Sequence, residues 1–86
     1  MIYYSESFKK AYKKRISKNP VLIKSFKDKI NLLNEDPHQA GLKTHKLVGE
    51  LKPNWAFSLN HEYRVIFQFC DGGIILINIG THDQVY

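Results

Sequence analysis

The hydrophobic pattern of this chain changes its period once, near Pro53. Between residues 6 and 35 apolar side chains recur every three or four positions, which is typical of amphipathic helices. From Trp55 to Gly80 they alternate or run continuously, which is typical of strands. A chain of 86 residues has room for one two-layer core. The sequence therefore predicts a single α+β domain over 1–86, in the order β-α-α-β-β-β, with both helices on one face of a small antiparallel sheet.

Two helices are predicted before Pro37. The first follows a short strand in "MIYYS" and can be capped by Ser5 or Ser7. Asn19 and Pro20 suit the cap and the first turn of the second helix. The apolar faces are expected at Phe8, Ala11, Tyr12 and Ile16 in the first helix, and at Ile23, Phe26, Ile30 and Leu33 in the second. Residues 38–53 are expected to form a loop with a short strand near Leu47.

Positive charge is concentrated in the first part of the chain. Residues 1–52 hold twelve Lys and Arg against five acids, a net +7, whereas residues 53–86 hold one Arg against three acids, a net −2. Clustered lysines supply the sequence-independent part of nucleic-acid affinity, although a solvated helix surface has the same composition. Charge alone does not decide between a nucleic-acid-binding surface and a solvated helix surface. The candidate RNA contacts are Lys9, Lys10, Lys13, Lys14, Lys43 and Lys46.

Several functional classes are disfavoured by what the sequence lacks. No window is apolar enough for a membrane helix, and the first residues lack the apolar centre of a signal peptide, so a cytoplasmic protein without a membrane partner is expected. The single cysteine, Cys70, cannot form an internal disulfide and is expected to be buried. No HxH, HExxH or paired-cysteine spacing is present, so neither a metal site nor a small-molecule cofactor is expected.

The stretch "CDGGI" predicts a hairpin between the last two strands. A three-residue loop over 71–73 would bring large apolar side chains together on the helix-covered face, whereas a two-residue loop would set Asn78 against a core residue. The expected pairs are Cys70 with Ile74, Phe67 with Ile77, Val65 with Ile79, and Arg64 with Gly80. The same register continues to a pair of Glu62 with His82, on the face that no helix covers.

Three side chains of that face suit phosphodiester chemistry. The His82 imidazole can exchange a proton near neutral pH, the Arg64 guanidinium can hold a phosphate through two hydrogen bonds, and Glu62 can orient the imidazole. Gly80, opposite Arg64, would leave room for a ligand. Tyr86 can stack on a base or pack on the sheet edge. The alternative to a functional site is an ordinary surface ion pair of Arg64 with Glu62 beside solvated histidines. Further histidines lie in predicted loops at His38, His45 and His61.

Three motifs carry a resemblance to a known family. They are H-x-L-x-G beginning at His45, "YRVIF" from Tyr63 to Phe67, and "GTH" with an aromatic residue four positions beyond His82. Together with the order of elements, they resemble the RelE/ParE superfamily of bacterial type II toxin–antitoxin toxins, especially its YafQ-like branch. The resemblance implies a RelE-like fold and covers the whole chain.

The resemblance also implies a function. Such toxins are mRNA interferases that act on the ribosome, without metal, and are held inactive by a cognate antitoxin. The ribose 2′-hydroxyl attacks the adjacent phosphate, leaving a cyclic phosphate and a free 5′-hydroxyl. By motif, His82 is a principal acid–base residue and His45 a second one, while Arg64 contacts the scissile phosphate. Tyr86 and Glu62 match a functional aromatic and an acid.

One position departs from the family pattern. A further catalytic histidine of the branch falls on Ser58, which cannot replace its proton transfer. Two alternatives therefore stay open at the level of sequence. One is a ParE-like toxin that inhibits gyrase through protein contact, and the other is an inactive binding module of the same fold.

Overall fold

The computed structural model describes residues 1–48 and 53–86. Its α+β architecture and its two long helices on one sheet agree with the predicted fold class. The elements are β1 (Ile2–Tyr4), α1 (Glu6–Arg15), α2 (Pro20–Glu35), a 3-10 turn (Ala40–Leu42), β2 (His45–Lys46), β3 (Trp55–Ser58), β4 (Tyr63–Cys70), β5 (Gly73–Thr81) and the short helix α3 (His82–Val85). Gly49 of the H-x-L-x-G motif lies outside the described residues. No helix among residues 1–48 and 53–86 is long and apolar enough to cross a membrane.

Local capping explains where the two long helices begin. Ser5 Oγ accepts a hydrogen bond from the Phe8 amide at 3.1 Å, while Ser7 Oγ donates to the Ile77 carbonyl at 2.8 Å and ties α1 to β5. Asn19 Oδ1 accepts from the first two free amides of α2, and Pro20 follows at the first helical position. Of the two serines predicted as caps, Ser5 is therefore the cap.

The sheet has the strand order β1-β5-β4-β3-β2 and is mixed rather than antiparallel. Strands β2 to β5 form antiparallel pairs, but β1 runs parallel to β5, with Ile2 beside Ile74. The prediction of an antiparallel sheet was wrong for this strand. A tight hairpin forces its two strands to be antiparallel, whereas two helices separate β1 from the rest of the sheet and leave its direction free.

The β4–β5 hairpin differs from the predicted register near its turn. The loop has two residues, Asp71 and Gly72, and Gly72 has the positive φ of 82° that such a turn requires. The expected pairs of Cys70 with Ile74 and Phe67 with Ile77 were wrong. The observed partners in this half are Cys70 with Gly73, Phe69 with Ile74, and Phe67 with Leu76.

A β-bulge restores the predicted register in the second half of the hairpin. Ile77 has no partner on β4, so the pairing shifts by one residue between Phe67 and Ile66. Beyond the bulge, Val65 pairs with Ile79 and Arg64 with Gly80, as predicted. The bulge also explains how Leu76 and Ile79, three positions apart on one strand, both reach the core with no exposed surface.

Both faces of the sheet are covered to some extent. The main core lies under α1 and α2, and its fully buried side chains include Phe57, Phe67, Leu33, Leu76 and Ile79. Ala56 and Ile66 belong to the opposite face, yet they are 0% and 4% exposed. They are covered because α3 folds back over β4 and β5, so the expectation of a bare face was only partly correct. Cys70 is exposed rather than buried, because it lies beside the hairpin turn at the end of β4.

Candidate active site

The strand register places the candidate residues on the sheet face opposite α1 and α2. Paired residues of neighbouring strands point to the same face. His45 of β2 pairs with Ala56, which pairs with Ile66. Arg64 lies two positions before Ile66 on the same strand, between Ser58 and Gly80. His45 and Arg64 therefore share a face.

The helix α3 adds His82 and Tyr86 to that face. The Thr81 amide donates to Gln84 Oε1 at 2.8 Å, which starts the helix directly after β5. His82 and Tyr86 are one helical turn apart, so their rings meet edge to face with centroids 4.5 Å apart. Both side chains are exposed enough to be reached from solvent, Tyr86 at 47%.

His45 is held between two groups that determine its proton arrangement. Its Nδ1 lies 3.1 Å from the Lys43 carbonyl oxygen, and its Nε2 lies 3.4 Å from Tyr86 Oη. A carbonyl oxygen can only accept, so Nδ1 carries a proton in the neutral ring and Nε2 carries the lone pair. The Tyr86 hydroxyl is then the donor to Nε2.

The phenol of Tyr86 stays protonated at neutral pH. Partial burial raises its pKa above the ordinary value of 10.0, and the positive charge of Arg64 opposes that shift. The effect of Arg64 also indicates that the guanidinium and the phenol belong to one electrostatic environment. Tyr86 thus contacts His45 and His82 directly and interacts with Arg64 through charge.

Arg64 is oriented by the turn between β3 and β4. Its Nη1 donates to the carbonyl oxygens of Asn60 at 2.8 Å, Tyr63 at 3.1 Å and His61 at 3.3 Å. Asn60 Oδ1 in turn accepts from the Glu62 and Tyr63 amides at 2.9 and 2.8 Å, which stabilises the turn. Within the described parts of the chain, Nη2 and Nε of Arg64 have no hydrogen-bond partner, so one edge of the guanidinium remains available.

The predicted pair of Glu62 with His82 does not form. Strand pairing ends at Tyr63 with Thr81, because α3 begins at His82 and turns away from β4, while Glu62 lies exposed in the turn capped by Asn60. The carboxylate beside His82 is instead that of Asp83, with Oδ1 3.6 Å from Nδ1. Sequence reasoning missed Asp83, although its place next to His82 in "GTHDQ" was a usable signal.

The space above Gly80 is filled rather than open to a ligand. A Cβ built on Gly80 would lie 2.7 Å from Gln84 Oε1 and 2.9 Å from Arg15 Nη1. The expected access beside Arg64 at this position was therefore wrong, since α3 and the end of α1 occupy it. Open volume lies instead beside His82 and Tyr86, in a cavity of about 440 Å³ that is also lined by Leu47, Val48, Asn54, Ile66 and Val85.

The candidate lysines divide into two groups. Lys9, Lys10, Lys13 and Lys14 lie on the exposed face of α1, away from this cavity, and Lys9 Nζ is 3.4 Å from Glu6. Lys43 and Lys46 are exposed and flank His45. His38 lies outside the candidate site, because its ring packs against those of Trp55 and Phe69, with centroid distances of 5.6 and 6.0 Å. Among residues 1–48 and 53–86, no three His, Cys, Asp or Glu side chains cluster as a metal site would require.

Comparison with known proteins decides the family. The family model described as the bacterial toxin of type II toxin–antitoxin systems, YafQ, matches residues 1–86. The chain belongs to the YafQ family. This YafQ-family protein is thus a toxin of a type II toxin–antitoxin system within the RelE superfamily, and the resemblance inferred from its motifs is confirmed. None of the curated proteins matches the chain.

Solved structures show the same fold for this YafQ-family toxin. The E. coli DinJ–YafQ complex is 24% identical, with a TM-score of 0.82 over 100% of this chain and 97% of that chain. A metal-bound toxin from Helicobacter pylori is 26% identical, with a TM-score of 0.75 over 100% and 98%. The YoeB dimer from Staphylococcus aureus is 20% identical, with a TM-score of 0.75 over 94% of each chain.

Proposed function

We propose that this toxin is an endoribonuclease that cuts messenger RNA on the ribosome and so inhibits translation. The observation that carries the proposal is the arrangement around Tyr86, whose hydroxyl lies 3.4 Å from His45 Nε2 and whose ring packs on His82. Two accessible imidazoles on either side of one phenol, with Arg64 nearby, supply the groups that a metal-independent phosphodiester transfer needs. The reaction requires a base, an acid and a cation for the phosphate.

His45 is suited to the role of general base. Its Nδ1–H is fixed by the Lys43 carbonyl, so Nε2 presents a lone pair toward the Tyr86 hydroxyl. In the proposed reaction Nε2 removes the proton of the ribose 2′-hydroxyl, whose oxygen attacks the adjacent phosphorus. The bond from phosphorus to the 5′-oxygen then breaks, and a 2′,3′-cyclic phosphate forms.

His82 is suited to the role of general acid. The Asp83 carboxylate, 3.6 Å from Nδ1, compensates the charge of a protonated imidazole. That imidazole donates its proton to the departing 5′-oxygen, which leaves as a 5′-hydroxyl. Arg64 binds the non-bridging phosphate oxygens with its free guanidinium edge, and Tyr86 provides a hydroxyl donor and a ring on which a base can stack. Ser58 lies beside Arg64, so this scheme assigns both proton transfers to His45 and His82.

The remaining partners follow from the family and the charge distribution. The lysines of α1 are proposed to contact ribosomal RNA, which makes the association sensitive to salt. A cognate antitoxin is proposed as the protein partner, because the structurally similar E. coli YafQ forms a complex with DinJ. The antitoxin would neutralise the toxin by covering the basic helix or the cavity beside Tyr86.

The decisive experiment maps the 5′ ends of cellular messages after brief expression of the toxin and of two histidine variants. We expect His82→Ala to abolish cleavage and toxicity while the protein remains folded and binds its antitoxin. His38→Gln is the matched control, because His38 packs away from the site and its loss should leave the cleavage pattern intact. Undiminished cleavage by His82→Ala would refute the assignment of this site. An arrest of DNA replication before translation would indicate a gyrase inhibitor instead, and growth effects that His82→Ala leaves unchanged would indicate a binding module.

A further inference from the structure

A second pocket, distinct from the cavity beside Tyr86, is lined by Arg64 and other basic residues. It has a volume of about 380 Å³ and is lined by Lys29, Gly41, Lys43, Ser58, Asn60, His61 and Arg64. Four separate segments of the chain meet there, namely α2, the turn over 40–43, the end of β3 with its following turn, and β4. Among residues 1–48 and 53–86 no carboxylate belongs to this lining, which holds two lysines, one arginine and one imidazole.

Two of the three cations, Lys29 and Arg64, are held in place by hydrogen bonds, whereas the Lys43 side chain is exposed. Lys29 is half-buried on α2, and its Nζ donates to the Gly41 carbonyl at 3.0 Å. An ammonium has three donors, so two remain available. Arg64 is held by three carbonyl oxygens through Nη1 alone, which leaves the other edge of its guanidinium available. Ordered cations with unused donors are pre-organised for an anion, because their side chains are already restricted before binding.

The backbone conformation of Lys43 is a second feature that points to a binding site in this pocket. Lys43 has a φ of 53°, in the left-handed region where lysine is uncommon and glycine or asparagine is preferred. That conformation brings the Lys43 side chain to the pocket and its carbonyl to His45 Nδ1. Backbone conformations of this kind are concentrated at ligand-binding and active sites.

We propose that Lys29, Lys43 and His61 form, together with Arg64, a binding site for a second phosphate of the RNA strand. The inference rests on the proposed ribonuclease function, since it places a phosphate next to the one that Arg64 contacts. The RNA would run from the cavity beside Tyr86, across Arg64, into this basic pocket. Lys29 and His61 thereby become substrate-binding residues, with His61 contributing an imidazole N–H and the lysines contributing charge.

The test measures binding without cleavage. The first probe is inorganic phosphate, whose binding is monitored by NMR of the amide signals. The second is a fully 2′-O-methylated RNA oligonucleotide, which lacks the attacking hydroxyl. Its affinity is measured by fluorescence anisotropy over a range of salt concentrations. We expect phosphate to shift the signals of residues 41–43 and 60–61. Lys29→Gln and Lys43→Asn should each weaken oligonucleotide binding about tenfold and reduce the slope of log K against log salt by about 0.7. Asparagine suits position 43 because it tolerates the left-handed backbone.

Two matched controls separate the pocket from overall charge. Lys24→Gln removes the same charge from α2 outside the pocket, where Lys24 is paired with Asp28 at 3.4 Å, and it should leave the affinity nearly unchanged. Gly41→Glu adds a carboxylate to the pocket wall without a clash, because a Cβ there meets nothing within 4 Å, and it should abolish the phosphate shifts. Gly41→Gln, of the same shape, should retain them.

The outcomes distinguish this site from the proposed function. Equal losses for Lys24→Gln and Lys29→Gln, or phosphate shifts elsewhere only, would overturn the second phosphate site. Reduced antitoxin binding by the Lys29 and Lys43 variants with unchanged oligonucleotide affinity would also overturn it, in favour of an acidic protein segment. If instead His82→Ala still cleaves RNA while the pocket variants lose oligonucleotide affinity, the catalytic assignment fails and the binding site stands.

Discussion

Substitutions at Tyr86 separate the contribution of its hydroxyl from that of its ring. Tyr86→Phe removes only the 3.4 Å hydrogen bond to His45 Nε2, which is long and exposed and therefore worth about 0.5–1 kcal/mol. The cleavage rate should fall about two- to fivefold. The ring contact with His82, at 4.5 Å between centroids, is preserved in this variant.

Tyr86→Ala removes the ring as well. The aromatic contact with His82 contributes about 0.5–1.5 kcal/mol, and stacking on a substrate base contributes about 1–3 kcal/mol. With the hydroxyl included, the loss is about 2–5.5 kcal/mol, so the rate should fall about 30- to 10,000-fold. The free energy of unfolding should change little in Tyr86→Phe and should fall by about 0.5–1.5 kcal/mol in Tyr86→Ala, which also loses the packing of the ring on His82.

The assay is a single-turnover measurement of message cleavage on programmed ribosomes, with urea unfolding of each variant as the control for stability. A Phe variant as slow as the Ala variant would contradict this reasoning, because it would make the hydroxyl itself the proton-transfer group. An Ala variant as fast as the unsubstituted toxin would place Tyr86 outside the site.

Two further predictions concern the backbone around the site. Gly80→Ala should lower the free energy of unfolding by about 1 kcal/mol and slow cleavage, because the new methyl group displaces Gln84 from its hydrogen bond to the Thr81 amide at the start of α3. Unchanged stability and activity in urea unfolding and cleavage assays would show that α3 is not positioned in this way. Lys43→Gly should raise the free energy of unfolding by about 0.5–1 kcal/mol, since glycine adopts a φ of 53° without strain. Lys43→Ala should give no such gain, and a gain of the same size for both variants would contradict the explanation.

Local patterns in the sequence were enough to predict the two long helices, the main strands and the family, but not the short helix α3. The cap at Asn19, the Pro20 that follows it and the helical period of α2 involve residues within a few positions of one another. The pairing of Arg64 with Gly80 was predicted from a three-residue loop, but it forms because the bulge at Ile77 offsets a two-residue loop. The motifs at His45, Tyr63–Phe67 and His82 were sufficient for the YafQ family, which the family model confirms over residues 1–86.

The composition of the candidate site depends on contacts that no local pattern encodes. His45 and Tyr86 meet across 41 positions, and Lys29 reaches the Gly41 carbonyl across 12. The parallel direction of β1 and the turn of α3 away from Glu62 likewise result from the packing of whole elements. Caps, turns and periods are short-range properties of the chain, whereas the meeting of distant side chains depends on how the helices and the sheet bury their apolar faces together. The sequence by itself therefore determined the long helices, the main strands and the residue types of the site, and the tertiary structure decided which of those residues lie together.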